Sequence, residues 1–262
     1  MSAAEESVIL CEGFHDRAFW AGLLERKLGC TDARPKLANG NLGTAMDPFL
    51  PSSRVVGGDF AFLTSSGAFL RIRPCHGDSK VLAMTTIRLK ERTTKALRYL
   101  IVNLDVDADD DDVARAKLRA ERIDHRVEQL VAAVDPSAKR RPDGDIEVDG
   151  GTTLVSTVLW STQDPAAPEL PAKDTLERLV CAALHEAYPD RSAAVAGWLA
   201  NRPSPPPPSA KDHAWSHMAG WYGAKGCDEF YQALWDDGSV AAQLEKRLVA
   251  NGSWRVIEAI AR

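Results

Sequence analysis

The sequence lacks any apolar run long enough to span a bilayer, which argues against a membrane-embedded protein. Its first residues, MSAAEES, lack the basic and then apolar layout of a secretory signal peptide, so we expect a cytoplasmic protein with no membrane partner. The sequence has five cysteines, an odd number, and no CxxC pair. This usage favours reduced thiols and argues against a zinc ribbon or a disulfide framework.

The sequence also lacks an excess of basic residues, because 32 Lys and Arg stand against 37 Asp and Glu for a net charge of −5. The overall field therefore does not favour a polyanion, and a nucleic acid would have to be held through metal ions and local basic patches. The 262 residues, 45% hydrophobic and 26% charged, are typical of a globular protein with a sizeable core.

The most informative stretch is Tyr99–Asp112, YLIVNLDVDADDDD. Its first part, Tyr99–Leu104, is apolar except for Asn103 and does not alternate, which predicts a strand buried on both faces. Asp105 and Asp107 follow where the strand ends, and open α/β sheets place ligands at the carboxyl ends of strands. Because two acids at a strand tip repel, we expect a cation to hold them, and a hard divalent metal is the simplest candidate.

A second apolar run, Ser7–Cys11, also ends in carboxylates. A helix is predicted from His15, which places Glu12 in the strand–helix loop and Asp16 in the first helical turn. One interpretation is that both acids serve the same metal as the later pair. The alternative is that they only complement the positive end of the helix dipole.

The rest of the chain alternates strands and helices. Residues 31–58 read as a loop or insertion, followed by a hairpin with arms Asp59–Thr64 and Ala68–Pro74. The other predicted elements are a helix through about Leu97, a helix at Val113–Val134, a strand at Thr152–Trp160, a helix at Lys173–Tyr188, and helices at Ala210–Tyr222, Asp228–Leu234 and Gln243–Ala261. Four aromatic residues of the late helices are expected to pack inward: Trp215, Trp221, Phe230 and Trp235.

This order predicts an α/β fold with a mostly parallel sheet flanked by helices and a helical C-terminal extension. We expect a catalytic domain at residues 1–190, with an insertion at about 31–67, and an extension at 191–262 packed on it. Residues 203–208 (PSPPPP) are expected to form a stiff exposed loop.

Three further features have both a structural and a functional interpretation. The turn His76–Lys80, with Ser79 and Lys80 at the start of a helix, could face a phosphate, and the favoured alternative is that Ser79 is an ordinary helix cap. Glu177 follows Asp174 by three residues, which suits a capping box as well as a functional carboxylate. The helix after this turn carries the most concentrated basic surface of the chain: Arg88, Lys90, Arg92, Lys95 and Arg98. It is either a solvated face or a nucleic-acid contact through the first four.

The motifs EGxxD (Glu12 and Asp16, with Gly13 between them) and DxD (Asp105 and Asp107), in this order and each after a strand, resemble the Toprim domain. Toprim domains occur in topoisomerases, bacterial primases, ribosomal-RNA maturases and nucleases of the overcoming-lysogenization-defect (OLD) type. The resemblance covers about Ser7 to Tyr188. The HGDSK turn, the TLERL helix and a late lysine in SAKDHAW resemble the OLD-type branch.

The resemblance implies a Toprim fold and a nuclease, an endonuclease acting on DNA or RNA, that uses two Mg²⁺ or Mn²⁺ ions. It implies five metal ligands: Glu12, Asp16, Asp105, Asp107 and Glu177. Lys211 or Lys80 would offset charge on the phosphorus, and Glu12 could instead act as a general acid or base. No Walker motif is present, so an ATPase would have to act in trans as a partner. A homo-oligomer stays open.

Other readings of the acids fit less well. An EF-hand starting at Asp105 would need glycine at Asp110 and glutamate at Ala116. A phosphatase or glycosyltransferase could use a DxD motif, but neither explains Glu12 and Asp16. The competing class is a catalytically silent Toprim module that binds nucleic acid or a partner protein in a defence or repair system.

Overall fold

The computed structural model of the chain describes residues 5–49, 53–56, 58–108, 113–203 and 208–262. The chain forms two compact units, each assembled from separate segments. Unit 1 contains Met1–Leu104, Asp124–Val158 and Val256–Arg262, and unit 2 contains Asp105–Ile123 and Leu159–Arg255. The boundary that the sequence predicts between residues 190 and 191 falls inside unit 2. Residues 204–207 of the predicted proline-rich loop and the acidic residues 109–112 lie outside the described ranges.

The strands form one mixed sheet. They are β1 (Glu5–Cys11), β2 (Thr31–Asp32), β3 (Phe60–Leu63), β4 (Phe69–Pro74), β5 (Ala96–Asp105), β6 (Lys139–Arg140), β7 (Ile146–Val148) and β8 (Thr153–Trp160). Their order is β2-β3-β4-β1-β5-β8-β7-β6. β1 runs parallel to β4 and β5, whereas the pairs β2–β3, β3–β4, β6–β7 and β7–β8 are antiparallel. The predicted parallel sheet is thus confirmed for the centre, and both edges are antiparallel.

The helices flank this sheet in unit 1 and make up most of unit 2. They are α1 (Phe14–Gly22), α2 (Asp78–Glu91), α3 (Val113–Val134), α4 (Leu176–Ala187), α5 (Pro189–Ala200), α6 (Ala210–His217), α7 (Cys227–Asp236), α8 (Gly238–Ala250) and α9 (Ser253–Ala261). Short π-helical turns continue α1 and α6. Within the described ranges, no helix is both long and apolar enough to cross a membrane.

Asn103 is the one polar side chain in the buried part of β5, and hydrogen bonds explain its place there. Its Oδ1 accepts a hydrogen bond from Trp20 Nε1 at 2.9 Å, and its Nδ2 donates to the Val158 carbonyl at 3.1 Å. Asn103 and Trp20 are both fully buried. This buried amide, paired at both ends, fixes α1 and β8 against β5. A buried amide without partners would instead lower the stability of the fold by about 1–3 kcal/mol.

The predicted hairpin is confirmed, since β3 and β4 pair antiparallel from Phe60 opposite Ile72 to Leu63 opposite Phe69. The preceding insertion is not structureless. It contributes β2 and two isolated β-bridges, and its Ala45 and Val55 form a small apolar cluster with Ala61 and Phe69 of the hairpin.

The helix before β5 ends earlier than the sequence pattern predicts. α2 stops at Glu91 rather than near Leu97, and β5 begins at Ala96. The amides of Thr94 and Lys95 both donate to the Glu91 carbonyl and form the turn between the two elements. Pairing of β5 with β1 takes Ala96 and Leu97 into the sheet, and this long-range hydrogen bonding outweighs the local helical pattern.

A buried ion network links β1, β4 and α2 in unit 1, and it includes one residue of the predicted basic surface. Arg88 is 3% exposed and donates to Glu6 and to Glu91. Glu6, 2% exposed, also accepts from Arg71 at 3.1 Å, and Arg71 contacts Asp47 at 3.2 Å. Because Arg88 is enclosed, its side chain is not available to nucleic acid. Its charge needs a buried counter-ion, and Glu6 supplies it.

The remaining members of the predicted basic surface differ in exposure. Arg92 pairs with Asp149, with 2.6 Å between Nε and Oδ2, and its side chain is only 12% exposed. Lys90 is exposed and Lys95 half-buried. A contact with nucleic acid therefore stays a prediction for Lys90 and Lys95, whose side chains are at least partly accessible.

Asp135, after α3, connects that helix to the start of the β7–β8 turn. Its carboxylate accepts hydrogen bonds from the Asp149 amide at 3.0 Å and from the Ser137 hydroxyl at 2.6 Å. These bonds, the Asp149 amide first, lower the pKa of Asp135 to about 2. A carboxyl group with a lowered folded-state pKa stabilises the fold above its unfolded pKa, and this stabilisation is lost as the pH falls through the folded value.

We therefore expect Asp135→Asn to flatten the loss of stability between about pH 4 and pH 2, because the variant has no proton to take up there. Melting temperatures across this window, against Asp143→Asn in the neighbouring turn, measure the effect. An unchanged acid limb in Asp135→Asn would contradict this assignment.

Unit 2 is a cluster of helices around α4, which contacts α5, α6 and α8. Phe230 and Trp235 are buried as predicted, at 1% and 5% exposure. Trp215 and Trp221 are instead about half exposed, at 47% and 49%. α6 buries His213, Ala214 and His217, so Trp215 falls on the opposite side of the helix.

Candidate functional site

Asp105, the last residue of β5, and Asp107 just after it occupy a constrained position in unit 2. Asp105 and Asp107 are half-buried, while Val106 and Ala108 between and after them are buried. The backbone of Asp107 is left-handed, with φ +54°. A residue other than glycine is uncommon in this region, and such outliers cluster at functional sites.

Hydrogen bonds tie this strand end to the start of α4. The Asp107 amide donates to the Asp174 carbonyl at 2.7 Å, and the Asp174 amide donates to the Ala108 carbonyl at 2.9 Å. The Asp105 carboxylate accepts from the Leu176 amide, the first residue of α4, at 2.9 Å. An anion at a helix N-terminus is stabilised by the amide groups and the helix dipole.

Two cationic side chains contact the Asp107 carboxylate. Lys173 Nζ lies 3.3 Å from Oδ1, and Arg119 Nη2 lies 3.3 Å from Oδ2. The sequence predicts a cation at these acids, and in this structure protein side chains supply the positive charge. Neither Lys173 nor Arg119 was predicted as a site residue. The only local signal was Lys173 at the predicted start of the helix that carries Glu177.

Glu177 is not part of the capping box that the sequence suggests. The N-cap of α4 is Thr175, whose hydroxyl accepts from the Arg178 amide at 3.4 Å, so the capping position three residues on is Arg178. Glu177 and Asp174 are both buried, at 6% and 5% exposure. Asp174 accepts from the Thr162 amide at 3.3 Å. The cap therefore does not account for the buried Glu177 carboxylate.

The acids after β1 lie in unit 1. Asp16, 6% exposed, accepts a hydrogen bond from the Gly13 amide at 2.9 Å and so closes the first turn of α1. Glu12 is half-buried, and its carbonyl accepts from the Gly77 amide at 3.0 Å. Asp16 thus has the helix-terminus contact that the structural interpretation assigns to it. The metal-binding role of both acids stays a prediction.

The turn before α2 is built on positive backbone angles at His76 (φ +64°) and Gly77 (φ +116°). Gly77 is the N-cap of α2, so Ser79 lies inside the helix and is not the predicted cap. Lys80 is exposed in the first turn of α2. Lys211 is likewise exposed in the first turn of α6, whose N-cap is Ser209. The phosphate-facing role of Lys80 and the catalytic role of Lys211 stay predictions.

The strands that carry the two acidic motifs are hydrogen-bonded neighbours. β1 and β5 run parallel in unit 1, with Leu10 opposite Val102, so the EGxxD loop and the DxD segment each follow the carboxyl end of one of this pair. Among the side chains in the described ranges, no group of three or more His, Cys, Asp or Glu residues is arranged to hold a metal ion.

Comparisons with known proteins give a fold and no family. No protein-family model matches the chain, and no curated protein matches it. The chain is similar to the crystal structure of a hypothetical protein, PH0156, from Pyrococcus horikoshii OT3, with a TM-score of 0.62 and 14% identity over 98% of this chain and 100% of that one. At this identity the likeness concerns the fold alone, a mixed α/β architecture with a mostly parallel central sheet flanked by helices.

Proposed function

We propose that this chain is a divalent-metal-dependent nuclease with a Toprim fold that hydrolyses phosphodiester bonds of DNA or RNA. One observation carries the proposal: Asp105 and Asp107 follow a rigid, buried strand, and Asp107 is held in a left-handed conformation by hydrogen bonds to the start of α4. Strain of this kind costs about 1–3 kcal/mol and persists only where the surrounding structure fixes it.

The side chains suit a hard cation that is shared with a phosphate. Mg²⁺ keeps several waters and is commonly bound by one or two carboxylates together with substrate phosphates, rather than by a full set of protein ligands. Asp105 and Asp107 would supply the carboxylates, with Glu177 as a further oxygen ligand. When bound, the metal would lower the pKa of a coordinated water and neutralise charge on the phosphate.

The cations at Asp107 have a role of their own in this proposal. Lys173 and Arg119 are about half exposed and lie on opposite carboxylate oxygens of Asp107. Once a metal ion shares the Asp107 charge, both side chains can turn to the phosphate oxygens, and the arginine can bind two of them at once. The Toprim resemblance also implies that Glu12 and Asp16 serve the same metals, and that role stays a prediction.

Incubating the full chain with plasmid DNA and with structured RNA tests the proposal. We expect cleavage of at least one substrate with Mn²⁺ or Mg²⁺ and none with EDTA, because the charge on the phosphate is then not neutralised. Binding without cleavage, under all metal conditions, would favour the silent Toprim module.

Divalent metal should also stabilise the fold. At about a hundredfold excess over the dissociation constant, binding to the folded state alone adds roughly 2.7 kcal/mol. The melting temperature is measured with millimolar Mg²⁺ or Mn²⁺ against potassium chloride of the same ionic strength. A melting temperature that does not respond to either metal would count against metal binding by these acids.

Glu177→Gln separates a metal ligand from a structural carboxylate on α4. The change keeps the side-chain shape and removes its charge, so we expect cleavage to fall by about a hundredfold if Glu177 binds metal, since each 1.4 kcal/mol costs tenfold in rate. Glu186→Gln, exposed on the same helix, is the matched control. Equal cleavage by both variants would remove Glu177 from the site.

A further inference from the structure

Helices α5 and α6 of unit 2 enclose polar atoms that have no hydrogen-bond partner within the described residues. His217 is 0% exposed, and neither of its ring nitrogens has a partner. His213, one turn earlier on α6, is 7% exposed and leaves Nδ1 without a partner. On α5, Nε and Nη2 of Arg191 are also buried and unpaired. Buried polar atoms are almost always paired, so each of these points to a group that the protein alone does not supply.

The guanidinium of Arg191 is held by aromatic rings. Its carbon lies 5.0 Å from the ring centre of Tyr188, 5.1 Å from that of Trp221 and 4.6 Å from that of Tyr222. Tyr222 in turn donates its hydroxyl to Asp237 at 3.0 Å, as Tyr188 does at 3.1 Å. Stacking fixes the orientation of the arginine without neutralising its charge.

Arg191 and His213 both lie close enough to His217 for their charges to affect its pKa. Burial, followed by the charges of Arg191 and His213, lowers the pKa of His217 to about 4. Burial also lowers the pKa of His213, against the opposing charge of Asp212. Asp212 itself pairs with Arg202 at 3.3 Å. The Asp212 charge is thus already paired with Arg202, while Nε and Nη2 of Arg191 have no hydrogen-bond partner within the described residues.

The chemistry of these groups favours an anion over a metal ion. Two histidines spaced i, i+4 on a helix can bind zinc, yet the neighbouring Arg191 repels a cation. No set of three metal-ligating side chains forms in the described ranges. The unpaired groups are mainly donors, two N–H groups of Arg191 and the ring nitrogens of His217 once it is protonated. What they lack is a negatively charged acceptor.

We propose that Arg191, His213 and His217 form a binding site for a phosphate group. The arginine fork can donate two parallel hydrogen bonds to phosphate oxygens, and the histidines add charge-assisted bonds when they are protonated. Binding should therefore take up protons and tighten as the pH falls. The phosphate could belong to a free phosphate ion or to the end of a nucleic acid, and the site does not depend on the proposed nuclease activity.

Titration of the full chain with inorganic phosphate, against potassium chloride of equal ionic strength, tests the site at pH 7.5, 6.5 and 5.5. We expect a phosphate-specific rise in melting temperature, with the affinity increasing about tenfold per pH unit for each proton taken up. A phosphate response equal to that of chloride at all three pH values would overturn the proposal.

His217→Phe and Arg191→Lys identify the groups responsible. His217→Phe replaces an unpaired buried polar ring by an apolar one, so the phosphate-free protein should be no less stable. Its phosphate affinity should fall roughly tenfold or more, as for the loss of one hydrogen bond to a charged group. Arg191→Lys keeps the charge but removes the two parallel N–H donors of the guanidinium, so it should also weaken phosphate binding. This second variant tests the site if His217→Phe does not fold.

His125→Gln, at an exposed position on α3, is the matched control and should bind phosphate as the original chain does. Unchanged phosphate binding in both site variants would overturn the proposal. Titration with an oligonucleotide that carries a 5′ phosphate, and with the same oligonucleotide without it, identifies the source of the phosphate. Stabilisation by the phosphorylated oligonucleotide only would identify a nucleic-acid end, whereas stabilisation by inorganic phosphate and by neither oligonucleotide would identify the free ion, and either result supports the site.

Discussion

Asp107→Asn should abolish most cleavage while leaving the fold nearly as stable. The substitution keeps the shape, and asparagine tolerates the left-handed conformation of this position as well as aspartate does. Removing the charge lowers the affinity for a divalent metal, and a loss of about 3–4 kcal/mol of transition-state stabilisation reduces the rate by roughly two to three orders of magnitude. Cleavage and metal-free melting are measured on the same preparation.

Stability in Asp107→Asn should fall only slightly. Sequence reasoning alone predicts relief of repulsion between Asp105 and Asp107 and hence a neutral or stabilising change. The structure gives Asp107 two ion pairs, with Lys173 and Arg119, that the variant loses. Exposed pairs of this kind contribute about 0–1 kcal/mol, so the net change should be small.

Asp149→Asn is the matched control for this experiment. Asp149 is also a left-handed aspartate, with φ +52°, and it also pairs with an arginine, Arg92. It shares the backbone and the ion pair of Asp107 but belongs to neither acidic motif, so its cleavage should be normal. Full cleavage by Asp107→Asn, or equal loss in both variants, would contradict a metal-binding role for Asp107.

Glu6→Gln should destabilise the fold by about 3 kcal/mol or more, the typical cost of breaking a buried ion pair. Glu6 contacts both Arg71 and Arg88, and all three are less than 5% exposed. Removal of this one negative charge leaves two buried guanidinium groups with less compensation. Urea unfolding at neutral pH, with the slope of the transition compared as well as its midpoint, measures the effect.

Glu5→Gln is the matched control, because Glu5 is the neighbouring residue of β1 and is exposed. We expect it to change the free energy of unfolding by less than about 0.5 kcal/mol. Glu6→Leu combined with Arg88→Met should be less destabilising than the sum of the single changes, since it removes both members of one buried pair. Additive effects would show that the contact between Glu6 and Arg88 contributes little.

The sequence by itself determined the elements whose pattern is local and strong. The amphipathic helix at Val113–Val134 is confirmed with the predicted bounds. The β3–β4 hairpin and the buried strands β1 and β5 are confirmed as elements, and β1 and β5 begin two or three residues earlier than predicted. Apolar periodicity sets these elements because burial of one face or two is what stabilises them. The acidic ends of β1 and β5 were visible for the same reason, as breaks in apolar runs.

The tertiary structure decided which partner each polar side chain has. Arg88 lies in a run of basic residues, yet pairing of β1 with its neighbours brings Glu6 to it and encloses it. Asp107 contacts Arg119, twelve residues further on, and Lys173, which lies far along the sequence. Burial and ion pairing depend on which elements pack together, and no local pattern contains that information. The clustering of Arg191 and His217 on two helices, too, exists only in the folded chain.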